Sequence, residues 1–246
     1  MTPGRVLVGL ETSGRVGSIA VSVDGTVRAR AFLGERSGHA SALMPALDAV
    51  LAEAGVDRRA LEGVVVGAGP GSFTGVRVAA AAGKGLCHAL RIPLYAVSSL
   101  LGAVLTERAL PGGAGPWGMA TDSPALESAD RYVLFDARGD RLFAAAYRLD
   151  GRVPEELRPP HFTRLPQLLE DRELVAAAFC GDGAIRHLAQ LQQEERVVLP
   201  PPLGFPSADG LLLYLARAPE TQPLANPFVW EPEYLRETGA ERSGEA

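Results

Sequence analysis

Both halves of the chain open in the same way, and that repetition limits the fold more than any other feature. In the first half Val6 to Leu10 is an apolar run that ends in an acid and a turn, Glu11-Thr12-Ser13-Gly14. Gly17 to Val23 alternates as a returning strand, Asp24-Gly25 is a hairpin signal, and Val27 to Leu33 is a third strand. In the second half Tyr132 to Phe135 ends in Asp136 and the turn Ala137-Arg138-Gly139-Asp140; Arg141 to Leu149 returns, and Asp150-Gly151 follows. The two acids stand 125 residues apart and the two Asp-Gly pairs 126 apart.

The continuation also repeats. Leu43, Leu47, Val50, Leu51 and Ala54 recur at helical spacing over residues 40–54, and Gly55 is a stop signal. A strand at Val64 to Val66, a small-residue helix over Val78 to Leu90, a strand at Leu94 to Val97 and a helix capped by Ser98 or Ser99 follow. The second half offers a strand near Arg152 to Leu157, a helix over Leu165 to Leu174, a strand at Val175 to Cys180, the turn Gly181-Asp182-Gly183 and a helix over Ala184 to Gln192. A last helix is predicted over Ala208 to Ala218. Two copies of β-β-β-α-β-α predict an α/β chain of two RNase H-like lobes, the tandem actin-like (ASKHA ATPase) architecture. The expected division is lobe 1–110, a Gly/Pro-rich linker 111–125, lobe 126–236 and a polar tail 237–246.

The stretch from Val64 to Arg77, VVVGAGPGSFTGVR, joins a buried strand to a helix through a glycine-rich turn. Helix N-termini present free N–H groups that attract anions. The turn nevertheless lacks the Lys-Ser/Thr pair of a phosphate-binding P-loop, and its spacing fails the third glycine of a dinucleotide fingerprint. Close strand-to-helix packing accounts for these glycines more simply. Glu11 and Asp136 end the first strands of their lobes, where an actin-like ATPase keeps the acids that organise a metal-bound phosphate. Thr12 and Ser13 would add donors, and Gly181 and Gly183 stand where such folds hold adenosine. All six residues are also good turn formers without any ligand.

Gly-Pro-Gly-Ser-Phe-Thr-Gly-Val-Arg over residues 69–77, with Ile92 to Leu100 downstream, closely resembles the TsaB (YeaZ) family. The likeness is strongest in the N-terminal half, and Pro232-Glu233-Tyr234-Leu235-Arg236 matches a motif near that family's C-terminus. The resemblance implies a non-catalytic scaffold subunit that binds TsaD, together with TsaE, in making threonylcarbamoyladenosine at adenosine 37 of tRNAs reading ANN codons. It implies no catalytic residue and no cofactor of its own, with ATP or ADP at the interface of the complex. It also implies a homodimer when the chain is alone and a cytoplasmic setting, with tRNA met only through the complex. The alternative is an independent ATPase or small-molecule kinase of the same fold. TsaD holds its metal through two histidines spaced i, i+4 on the equivalent helix. Here His39 is followed at that spacing by Leu43, so no metal site is expected. The helix after the glycine turn is small and apolar nearly all round, which predicts burial on two sides. Gly75, Ala79, Gly83 and Leu86, with Leu43 and Leu47 of the preceding helix, are the predicted partner-binding face.

Composition narrows the remaining classes. The net charge is −5 over 246 residues and no basic block is present, which disfavours unaided grip on nucleic acid. Cys87 and Cys180 are the only cysteines and form no CxxC pair, so neither a disulfide framework nor a zinc site is expected. Glu11 interrupts any signal-like apolar start. No Ser/His/Asp arrangement or four-acid nuclease cluster is legible.

Overall fold

The computed structural model describes residues 5–35, 38–109 and 130–235. The expected linker 111–125 and tail 237–246 lie outside them. The first sheet holds β1 (Val6–Glu11), β2 (Val16–Val23), β3 (Thr26–Glu35), β4 (Gly63–Gly67) and β5 (Leu94–Val97), in the order β3-β2-β1-β4-β5. The three leading strands pair antiparallel, whereas β4 runs parallel to β1 and β5 parallel to β4. The second sheet holds β6 (Asp130–Asp136), β7 (Arg141–Arg148), β8 (Glu155–Arg164) and β9 (Ala178–Cys180), in the order β8-β7-β6-β9. Its pairings repeat those of the first. A single parallel bridge from Phe179 to Val198 stands where a fifth strand would be. This is the tandem RNase H-like fold.

Strand period sorts side chains onto the two faces of the first sheet. Val6, Val8 and Leu10 pack with Leu43, Leu47, Val50 and Leu51 of α1 (His39–Ala54) and with Ala79 and Leu86 of α2 (Phe73–Leu90). Leu7, Ala20 and Val65 face the other way, onto Ala208, Leu211 and Leu212 of α7 (Ala208–Arg217). The helices cross between the halves. α3 (Ser99–Ala109) follows β5 in sequence but lays Leu100, Ala103 and Val104 against Val133, Phe135 and Ala145 of the second sheet. α7 comes late in sequence and covers the first sheet. The short helices α4 (Leu165–Leu169), α5 (Asp182–Arg186) and α6 (Leu188–Gln193) cover the opposite face of the second sheet.

Several local expectations shift: the helix expected over 165–174 ends at Leu169, with a separate short turn at Arg172–Leu174, and the strand expected from Val175 starts at Ala178. The strand expected near 152–157 is displaced to Glu155–Arg164, straight through Pro159 and Pro160. It pairs only with β7, and an edge strand tolerates residues that cannot donate to a ladder. The helix expected over 184–192 breaks into α5 and α6 at His187. α2 starts at Phe73, five residues before the predicted start, because the Ser72 side chain accepts the Gly75 N–H as its cap.

Candidate functional site

The end of β1 and the glycine turn after β4 form one knot. The Glu11 carboxylate is fully buried. Its Oε1 accepts the Ser13 N–H at 2.7 Å and its Oε2 accepts the Ser99 hydroxyl at 2.8 Å. The same Ser99 Oγ accepts the Gly69 N–H at 3.2 Å, which ties the acid to the glycine turn through α3. Gly67 leaves the room that the acid occupies: a Cβ there would stand 2.1 Å from Glu11 Oε2. Burial pushes the Glu11 carboxyl above its ordinary value, and hydrogen bonds from Ser13, Ser99 and Thr12 pull it partly back.

Thr12 and Ser13 are equally enclosed. The Thr12 hydroxyl donates to the Gly75 carbonyl at 2.6 Å and accepts the Ala79 N–H at 3.1 Å, bridging two groups one turn apart in α2. The Ser13 carbonyl accepts the Ser72 N–H at 2.8 Å. The Thr12 hydroxyl and the Ser13 N–H are thus spent on the chain itself, whereas the buried Ser13 Oγ has no hydrogen-bond partner. In the second lobe Asp136 accepts the Arg138 N–H at 2.7 Å and pairs with Arg186 at 2.5 Å. The Gly181 N–H donates to the Leu203 carbonyl at 3.1 Å, and a Cβ at Gly183 would press on Leu134 and Leu142. The six residues considered for nucleotide therefore form two packed turns, one in each lobe.

His39 is buried, with Nε2 2.8 Å from the Gly34 carbonyl and 3.1 Å from the Gly17 nitrogen; one tautomer serves each contact. Leu43, where a second ligand would stand, lies in the core of the first lobe. Among the described residues no group of three or more His, Cys, Asp or Glu is placed to hold a metal ion. None of their helices is long and apolar enough to cross a membrane.

The predicted partner face needs correction. Leu47, Gly75, Ala79, Gly83 and Leu86 are buried away from the outer face, while Leu43, buried as well, still lines the groove between the two helices. A Cβ on Gly75 would stand 1.9 Å from the Thr12 carbonyl oxygen, and one on Gly83 would stand 2.6 Å from Val66. These small residues let α2 sit close on its own sheet. The outward stripes are Ala40 and Met44 on α1, and Phe73, Arg77 and Ala81 on α2, which line a groove of about 470 Å³. The signal was present as i, i+4 spacing on both helices, but it runs beside the stripe chosen from the small residues. Sequence reasoning also missed the segment after α7. It returns to the first lobe, where Leu224 N–H donates to the Leu94 carbonyl and Lys84 Nζ donates to the Trp230 carbonyl at 2.6 Å. Arg77 stacks on Phe73, 3.8 Å from the ring centre, and donates to the Tyr234 hydroxyl at 2.9 Å.

A family model described as "TsaD: tRNA N6-adenosine threonylcarbamoyltransferase" matches residues 35–169, more than half of the chain. The chain belongs to the TsaD family. Its relatives point to the TsaB/YeaZ side of that family. It is similar to the tRNA threonylcarbamoyladenosine biosynthesis protein TsaB of Bacillus subtilis strain 168, 28% identical over 164 residues, covering 67% of this chain and 64% of the relative. It is 32% identical over 95 residues to the TsaB of Escherichia coli K12, covering 39% of this chain and 41% of the relative. The matched stretches thus span less than two thirds of both curated relatives. The solved structure of YeaZ from Pseudomonas aeruginosa superposes with a TM-score of 0.73 at 25% identity, covering 94% of this chain and all of that one.

Glu11 gives a testable pH signature. A carboxyl whose folded-state pKa lies above its unfolded value stabilises the fold below the unfolded value and loses that contribution as pH rises through the folded value. Glu11→Gln keeps the shape and removes the charge: the amide oxygen accepts from Ser13, and the amide nitrogen faces Ser99. The melting temperature of Glu11→Gln should therefore gain on wild type as pH rises above about 4.5, the ordinary glutamate value. Paired thermal scans from pH 4 to 8 check this, and parallel curves would contradict it.

Proposed function

We propose that the chain is a non-catalytic scaffold subunit for threonylcarbamoyladenosine synthesis on tRNA. In this reading it binds TsaD, acts with TsaE, supports modification of adenosine 37 in tRNAs reading ANN codons, and meets tRNA only through the assembly. It works in the cytoplasm and holds no nucleotide of its own, any ATP or ADP lying at the interface of the complex. One observation carries the non-catalytic part: the acid that would face a nucleotide, Glu11, is fully buried and bonded to Ser13 and Ser99. A carboxylate with both oxygens engaged and no exposure cannot organise a phosphate without dismantling the turn. The TsaB names of the relatives support the pathway. The decisive assay is nucleoside analysis of tRNA modified by TsaD and TsaE with and without the chain, beside ATP turnover by the chain alone. Modification that needs the chain, with no solitary turnover, supports the reading. Solitary ATP turnover would favour an independent ATPase or kinase.

The partner surface in this reading is the outer groove of α1 and α2, which also pairs two copies when no partner is present. Met44 and Phe73 expose 39% and 53% of their surface there, and large apolar side chains so exposed mark contact sites. Met44→Glu or Ala81→Glu should weaken TsaD binding by about tenfold or more, because a charge would be desolvated in an apolar contact. Both positions are exposed, so the melting temperature of the chain alone should barely move. Calorimetric titration with TsaD, beside thermal scans, checks both arms.

A further inference from the structure

The C-terminal segment after α7 is fixed to the first lobe along its length. The Leu224 N–H donates to the Leu94 carbonyl at 2.8 Å, the Lys84 ammonium donates to the Trp230 carbonyl at 2.6 Å, and the Glu233 N–H donates to the Ala68 carbonyl at 2.8 Å. Leu224 and Trp230 pack on the core of the first lobe, and Pro232 is buried. This strap carries Tyr234 to the outer wall of α2. The Tyr234 hydroxyl accepts the Arg77 Nε–H at 2.9 Å, and its ring lies 5.2 Å from the Phe73 ring, centre to centre. Phe73 in turn holds the Arg77 guanidinium over its face at 3.8 Å. An exposed arginine ordinarily samples many rotamers, and ordering it on binding is costly. Arg77 is exposed yet already held on two sides, by a ring face and by a hydroxyl from 157 residues away.

Arg77 lines the groove between α1 and α2, and Tyr234 does not. Among the described residues that line it, Arg77 is the one charged side chain, and the others are apolar apart from Thr74. Asp48, one turn beyond Met44 on α1, already pairs with Arg58. Because Nε is engaged by Tyr234, the guanidinium offers its Nη1–Nη2 edge, a planar fork that matches a carboxylate. A two-fold pair of identical chains would set two such grooves face to face, with two guanidinium groups and no lining acid between them. We propose that Arg77 is the specificity-determining residue of this groove: it pairs with a carboxylate on the TsaD segment that docks there, and so favours TsaD over a second copy of the chain, which rests on the groove being the TsaD surface. Tyr234 is its positioning residue. Selection then comes from a charge that one occupant neutralises and the other repels. Holding the fork in place before docking lowers the ordering cost, so the strap raises affinity without lining the groove.

The test is calorimetric titration of the full chain with TsaD at about 0.05 M and about 0.3 M salt, beside sedimentation of the chain alone. Arg77→Met keeps the stem and removes the fork. It should weaken TsaD binding by about tenfold or more and leave self-association as strong or stronger. Wild-type affinity for TsaD should fall with salt, and that dependence should shrink in Arg77→Met. Tyr234→Phe keeps the ring and loses the hydroxyl. It should weaken TsaD binding by about threefold at an unchanged melting temperature, and the Arg77 Nε–H proton, slow to exchange in the wild type by NMR, should exchange fast. Met44→Glu separates the two ways of failing. If Met44→Glu binds TsaD normally, the groove is not the TsaD surface and the role of Arg77 falls with it. If Met44→Glu weakens TsaD binding while a folded Arg77→Met binds normally, or loses TsaD and self-association alike, the groove stands and the specificity role is overturned. Wild-type affinity and wild-type Nε–H exchange in Tyr234→Phe would overturn the positioning role.

Discussion

Gly75→Ala should unfold the chain at a temperature lower by about 6–12 °C, which corresponds to a loss of at least about 3 kcal/mol for a chain of this size. The added methyl would stand 1.9 Å from the Thr12 carbonyl oxygen, so either the backbone of the Glu11 turn or the start of α2 must move. Side chains can turn away from an intruding methyl, but a backbone carbonyl at the end of a central strand cannot. Movement would also break the two hydrogen bonds through which Thr12 bridges Gly75 and Ala79. Gly85→Ala in the same helix is the control. Nothing lies within 4 Å of a Cβ there, so that variant should gain about 0.5–1 kcal/mol from the lower backbone entropy of its unfolded state. Ala79→Leu belongs with Gly75→Ala: Ala79 is 1% exposed, and overpacking there should cost about 1–3 kcal/mol of the chain's own stability. Thermal scans of the three variants decide the matter. Equal melting temperatures for Gly75→Ala and Gly85→Ala would refute the packing account.

Arg30→Met should cost about 3 kcal/mol, at the lower end of what broken buried ion pairs lose because Arg30 itself is 29% exposed. Arg30 Nε meets Asp209 Oδ1 at 2.6 Å, joining β3 to the first turn of α7. The Asp209 side chain has no exposure, and its Oδ2 has no hydrogen-bond partner. Arg30 is thus the counter-charge that lets the acid stay ionised. Burial pushes the Asp209 carboxyl up, and Arg30 pulls it back. Without Arg30 the rise is larger. The penalty should therefore be greatest at neutral pH and fade as pH falls toward about 4, the ordinary aspartate value, where the unfolded chain is protonated too and folding need neither bury a charge nor take up a proton. Adding Asp209→Asn should recover most of the loss at neutral pH. Denaturant melts of the wild type, both single variants and the double variant at pH 7 and pH 4.5 give the comparison, and a pH-independent penalty would rule out this origin.

The duplication was legible because strand ends and turns leave local marks. Glu11 and Asp136, the Asp24-Gly25 hairpin and the alternation of β2 are properties of residues a few positions apart, and all lie where their spacing placed them, whereas Asp150-Gly151 sits inside a six-residue connection between Arg148 and Glu155. The displaced β8 shows where local marks mislead: Pro159 and Pro160 argue against a strand until the sheet order shows that β8 lies on an edge. The helix pair shows a second limit. The apolar circumference of α2 predicted burial on two sides but could not tell which stripe would face the sheet. Sheet contact went to the glycines and alanines because a close helix–sheet approach needs small residues. Phe73, Arg77 and Ala81 were left outside.

By itself, then, the sequence determined the two β-β-β-α-β-α repeats, the broken i, i+4 histidine pair at Leu43, and the absence of the P-loop and dinucleotide spacings. Tertiary structure alone decided what became of Glu11. An acid at a strand end reads the same whether it faces an open cleft or a serine 88 residues away, and only the folded chain brings Ser99, Gly67 and Gly69 around it. It also decided that α3 would cover the second sheet and α7 the first. Each depends on groups far apart in the chain, which are positioned by the sheets and helices between them rather than by their own neighbours.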